Sequence, residues 1–169
     1  MIKYDDFTWL DDFPDNSHKD KEAWIKELKD FIPFIYLYYS EFISKEQYTE
    51  KLHEAYLKQP ITDDFFFKLE LVSEDEESTV DCLIGYLVRN NLIDILDGSV
   101  CIAILKKIKP LWGKMSYSDF GRCFRTLIHE LPDHLQSSPP LNIWFKAEDI
   151  DLFHHFEQDQ IEEILSSVT

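Results

Sequence analysis

The sequence predicts an all-α fold: a single compact domain of six to eight helices, with room for a short extended segment near residues 141–146. Three observations carry this. Only four glycines occur in 169 residues, against an average usage of about 7%, and strand-rich or dinucleotide-binding folds need glycine for hairpins and phosphate loops. Apolar residues through the middle of the chain recur at spacings of three and four, the period of one helix face. Ser followed three residues later by Asp or Gln stands ahead of several such stretches, as at a capped helix start. Hydrophobic residues make up 44% of the chain, enough to fill a core.

In chain order, residues 1–18 read as an acidic N-terminal arm. Trp24, Leu28 and Phe31 mark a helix that ends near Pro33, and Phe34 to Phe42 continues it after a kink. Ser44 with Gln47 opens a helix carrying Tyr48, Leu52 and Tyr56, closed by Pro60. The stretch Thr62 to Val72 reads two ways. Phe65, Phe67, Leu69 and Leu71 alternate as in a strand, yet Thr62-Asp63-Asp64 is a good helix start, and the lack of a nearby hairpin partner favours helix. Val80, Leu83, Ile84, Leu87, Val88, Leu92, Ile95 and Leu96 form one unbroken apolar face, with Ser78 and Asp81 as its capping box and Gly98 as its terminator.

Ser99 then caps a helix with Cys101, Ile104, Leu105 and Ile108 inward and Pro110 closing it. Ser116 with Asp119 opens the next, whose inward residues are Phe120, Cys123, Phe124, Leu127, Ile128 and Leu131, stopped by Pro132. Joints this short pack successive helices as antiparallel neighbours. Gln136 to Pro140 is a loop before the C-terminal helical segment. A last helix runs from about Asp149 with Ile150, Phe153, Phe156, Ile161, Ile164 and Leu165 inward. There is no internal repeat.

Asp and Glu number 33 against 17 Lys and Arg, a formal charge of −16. Such a field repels phosphate backbones, which argues against nucleic acid as the main ligand, and attracts basic protein surfaces. The excess is local: residues 1–20 carry −4, residues 60–81 carry −7 and residues 146–169 carry −6. Aromatic side chains stand among the acids, the residue mixture of an interface hot spot. The candidate partner-binding residues are accordingly Asp5, Asp6, Trp9, Asp11 and Asp12 in the first window, Asp63, Asp64, Glu74, Asp75, Glu76 and Glu77 in the second, and Asp149 and Asp151 in the third. Phe65 to Phe67 read more naturally as core. The run Glu74 to Glu77 also suits a helix N-terminus, where acids complement the dipole. Residues 98–125 form a basic island of +5. Arg122, Arg125 and His129 share a face away from the core of their helix, and their counter-charges lie either in this chain or in another molecule.

No chemistry-bearing motif is complete, so an enzyme is not expected, and neither a cofactor nor a metal is implied. His129 and His134 are five apart with Pro132 between them, which breaks the four-residue spacing of a helical zinc pair. Glu50 with His53, and Asp151 with His154, are single carboxylate–histidine pairs where a di-iron bundle needs two such pairs and two more glutamates. The start of the chain lacks a basic-then-apolar leader and the longest apolar run is too short for a membrane span, so the expected location is the cytoplasm. Cys82, Cys101 and Cys123 each fall on an apolar stripe and read as buried free thiols.

Small size, acidic clusters with interleaved aromatics and no catalytic signature together resemble the small acidic immunity proteins of bacterial contact-dependent and other secreted-toxin systems. The resemblance lies in composition and carries over no individual contact residue. It implies a cytoplasmic inhibitor whose partner is a cognate toxin domain, often a nuclease with a basic substrate cleft that the acidic windows would cover. The alternatives are a helical adaptor or regulatory subunit in a larger assembly, and a metal-dependent enzyme acting on a small cationic substrate.

Overall fold

The computed structural model describes residues 18–58, 65–148 and 153–169. These residues are all-α: nine helices and two short 3-10 turns, with no strand among them. They divide into two compact units, one within Met1–Tyr39 and Ile43–Ile95, the other made of Ser40–Phe42 and Leu96–Thr169.

The first unit holds α1 (His18–Tyr39), α2 (Lys45–Tyr56), α3 (Phe65–Leu71) and α4 (Glu76–Arg89), with α1 packed against both α2 and α4. The helix expected to end near Pro33 does not end there, because α1 is one helix of 22 residues with Pro33 inside it. Proline in a helix interior costs about 3 kcal/mol. Against that, Phe31, Ile32, Ile35, Tyr36, Leu37 and Tyr38 are all buried around it, and each such side chain contributes about 1.5–3 kcal/mol. Burial wins. The rest of this core is aromatic: Trp24 and Phe31 both meet Phe66 edge-on at 5.3 and 5.1 Å, Phe65 stacks on Tyr86 at 4.2 Å, and Tyr38 stacks on Tyr48 at 4.4 Å. Burial pushes the Tyr48 hydroxyl well above the ordinary tyrosine range, so it stays protonated.

Segment 65–71 settles as helix, with Phe65, Phe66 and Leu69 buried. The reciprocal capping box of Ser44 and Gln47 is present at α2 as expected, at 3.1 and 2.8 Å. The boundaries of α4 differ from the expected ones. Its cap is Asp75, three residues ahead of Ser78, and its end is Asn90–Asn91, well short of Gly98. Asn91 takes a left-handed conformation at φ 55°. The Leu92 N–H returns to the Leu87 carbonyl at 2.7 Å and the Asn91 N–H to Val88 at 3.2 Å. That pair of bonds is the double closure of a Schellman turn, and asparagine is the residue other than glycine that best tolerates its φ. A 3-10 turn, Ile93–Ile95, follows.

The second unit holds α5 (Gly98–Ile108), α6 (Tyr117–Glu130), α7 (Asp133–Gln136), α8 (Asn142–Glu148) and α9 (Phe153–Ser166). Gly98 is the first residue of α5, and its cap is Asp97, not Ser99: one Asp97 carboxylate oxygen accepts from the Ser99 and Val100 N–H groups at 3.0 and 3.2 Å. Pro110 sits in a 3-10 turn after α5, and Gly113 at φ 87° turns the chain toward α6. Ser116 caps α6 through the Asp119 N–H at 3.1 Å, and the six residues expected inward from Phe120 to Leu131 are all buried.

Residues 141–146, where the sequence allows a short extended segment, are helical from Asn142 onward. Leu141 and Trp144, three residues apart, are completely buried, and Trp144 meets Phe124 edge-on at 5.3 Å. Five residues were too few to show a period, and the packing partner decided it. On α9, Ile161, Ile164 and Leu165 are buried as expected, while Ile150, Phe153 and Phe156 fall where no side chain is described. Lys109 donates to the Val168 carbonyl at 2.7 Å and fastens the chain beyond α9.

Candidate functional site

Of the thirteen acidic and aromatic residues expected to bind a partner, the structure describes Glu74, Asp75, Glu76 and Glu77. Asp5, Asp6, Trp9, Asp11, Asp12, Asp63, Asp64, Asp149 and Asp151 lie outside the described residues. The four form the corner between α3 and α4, and the backbone holds that corner in place. The Tyr38 hydroxyl donates to the Ser73 carbonyl at 2.6 Å, the Ser73 hydroxyl to Glu70 at 2.8 Å, and the Thr79 hydroxyl to the Asp75 carbonyl at 2.9 Å. Desolvation, with the nearby Glu76 adding to it, raises the Tyr38 hydroxyl above its ordinary value, so it remains a donor.

On this pinned corner the acids take different roles. Glu74 is exposed and pairs with Lys45 of α2. Asp75 is the α4 cap, accepting from the Glu77 N–H at 3.1 Å and from the Ser78 hydroxyl at 2.6 Å. Glu76 and Glu77 occupy the first turn of α4, where the helix dipole favours them. One member of the run is thus tied into the fold, and Ser78 serves it as a donor.

The Ser78 hydroxyl beside Asp75 holds its carboxyl below the ordinary carboxylate value, aided by backbone N–H groups and opposed by slight desolvation. The folded state therefore favours the charged form. The cap's contribution is complete above the ordinary carboxylate value and is lost as pH falls through the lowered one. Asp75→Ala should fray α4 and lower the urea midpoint at neutral pH. Asp75→Asn keeps a cap and should flatten the acid limb of the midpoint's pH dependence. Urea titrations followed by circular dichroism at neutral and acidic pH check both, and an Ala variant as stable as wild type would refute the capping role.

The three consecutive phenylalanines divide. Phe65 and Phe66 are core, as read, but Phe67 is 44% exposed, and Leu71 one turn later on the same face of α3 is 53% exposed. Sequence reasoning gave Phe67 to the core. The missed signal is the helical period itself: with Phe65, Phe66 and Leu69 inward, Phe67 points away from them. The acidic corner therefore follows directly on a helix that shows two large apolar side chains to solvent.

The two arginines of the basic island find counter-charges in the chain itself. Arg122 donates to Glu41 at 2.7 Å. Arg125 pairs with Glu157 of α9, which also accepts from the Tyr117 hydroxyl at 3.2 Å. His129 meets Phe145 edge-on at 5.4 Å, and the His134 Nε2 lies 2.6 Å from the Leu96 carbonyl, so the two histidines have separate partners. No group of three or more His, Cys, Asp or Glu able to hold a metal occurs among the described residues, and no described helix is long and apolar enough to cross a membrane. All three cysteines are buried free thiols. Burial pushes Cys101 up to about 11 and Cys123 upward as well, so both stay protonated and poorly nucleophilic near neutral pH.

No protein-family model matches the chain, and no curated protein or solved structure matches it.

Proposed function

We propose that this protein is an acidic protein-binding inhibitor, an immunity protein that neutralises a basic toxin domain by direct contact. The observation that carries the reading is the α3–α4 corner. Four consecutive acids run from the hydrogen-bonded α3–α4 turn into the first turn of α4, a few residues after the exposed Phe67 and Leu71. Fixed charge steers a basic partner toward the surface, and large apolar side chains beside it supply the desolvated anchor.

The test is an association rate measured by stopped flow against the cognate toxin domain, to be sought in the gene neighbouring this protein's own. Steering of this kind raises on-rates by about 10–10³. The rate is therefore expected to fall steeply as salt rises, since screening shortens the reach of exposed charge to about 8 Å at physiological ionic strength. Glu74→Gln, Glu76→Gln and Glu77→Gln combined should slow association while leaving helix content intact. Asp75 is kept so that the cap survives. A rate indifferent to salt would overturn the reading. It would favour the adaptor alternative, in which Phe67 and Leu71 belong to a constant apolar interface.

A further inference from the structure

A second feature of the first unit lies on its other helices. α1 and α2 form a helical hairpin with an open groove of about 120 Å³ between them. For comparison, a dry cavity of about 150 Å³ accommodates benzene. The groove's apolar side is Phe34 with the buried Phe31, 6.2 Å from it, and Ala55. Its polar rim is Glu27 and Asp30 on α1 with Glu54 on α2, and Lys51 and Lys58 also border it. Carboxylates outnumber ammonium groups by one, and they are unevenly engaged. Lys51 lies 3.5 Å from Glu54. Neither Glu27 nor Asp30 has an ion-pair partner among the described residues.

Lys51 also shows what the groove accepts, because its ammonium stands 5.6 Å from the centre of the Phe34 ring, within cation–π range. We propose that this groove is a receptor for an arginine side chain of the basic partner. The guanidinium takes the Phe34 face and bridges Glu27 and Asp30, and the methylenes lie along Phe31 and Ala55. Arginine fits better than lysine, since a planar fork both stacks on a ring and reaches two carboxylates, whereas a strongly hydrated point charge does neither well. Lys51 is displaced from the ring and stays with Glu54. Its native position makes it a weak internal competitor.

The proposal rests on the reading of a basic protein partner, but its test needs no partner. N-acetyl-arginine amide is titrated into the isotopically labelled full chain and followed by amide chemical shifts, with the lysine and citrulline analogues alongside. Shifts are expected to concentrate on residues 27–34 and 51–58. The uncharged citrulline analogue should bind about tenfold more weakly, as befits loss of a charge-assisted contact. Glu27→Gln with Asp30→Asn should weaken arginine binding about fivefold, and Lys51→Ala should tighten it by removing the competing ammonium. Shifts spread over the surface, equal binding of citrulline, or no response at about 50 mM ligand would each overturn the site. Failure here beside a salt-steered association with the toxin domain removes the groove alone. Saturable arginine binding beside a flat salt response removes the inhibitor reading and leaves the groove.

Discussion

Phe66→Ala is expected to destabilise the first unit by about 3–5 kcal/mol, the ordinary cost of emptying a buried phenylalanine site. Phe66 is 1% exposed and sits edge-on to both Trp24 and Phe31. Its removal opens a cavity against α1, whose neighbouring side chains are too tightly held to collapse into it. The adjacent Phe67→Ala should change stability by less than about 0.5 kcal/mol, because its ring already faces water. Urea unfolding of the two variants, read by circular dichroism and tryptophan fluorescence, checks the contrast. Equal costs would mean that α3 is rotated from its described position. The same pair bears on function. If the α3–α4 corner meets a partner, Phe67→Ala should weaken the complex through faster dissociation while the free protein keeps its stability.

In the second unit, Arg125→Ala should cost about 2–3 kcal/mol and Glu157→Gln under about 1 kcal/mol. The asymmetry follows from which partner is buried. The Glu157 side chain is 11% exposed and that of Arg125 is 45% exposed. Removing arginine strands a desolvated carboxylate whose one remaining partner among the described residues is the Tyr117 hydroxyl, whereas removing the carboxylate's charge leaves a guanidinium that water still reaches. A double-mutant cycle read by urea denaturation gives the coupling directly. Costs that come out equal, or reversed, would show that burial of the carboxylate does not set the balance.

Much of the fold was legible because it is written in short-range patterns. The face from Phe120 to Leu131 and the caps at Ser44 and Ser116 each depend on residues within a turn or two of one another, and all stand as read. Legibility failed where two local signals competed. Asp75 and Ser78 are both good caps, as are Asp97 and Ser99, and in each case the aspartate further upstream prevails and the serine hydroxyl turns to it as a donor. Gly98 looked like a terminator because glycine commonly ends helices, yet Asn91 performed that role seven residues earlier. The candidate site was legible in part. The acidic run was plain, but that one acid caps a helix and that Phe67 faces outward depend on where α3 and α4 begin.

Short-range pattern thus accounts for the helical class, the apolar faces of α5 and α6, the burial of three thiols and the clustering of the acids, while Val88, expected inward on α4, is 57% exposed because α4 ends at Arg89. Periodicity and capping are properties of neighbours along the chain, so those features needed no knowledge of distant contacts. Long-range packing settles that α1 runs through Pro33, that residues 142–148 are helical, and that Arg122 and Arg125 answer to Glu41 and Glu157, which lie 81 and 32 residues away. Each of these weighs a local cost or ambiguity against contacts made by residues remote in sequence. Burial of several side chains, at about 1.5–3 kcal/mol apiece, is large enough to override a single local preference.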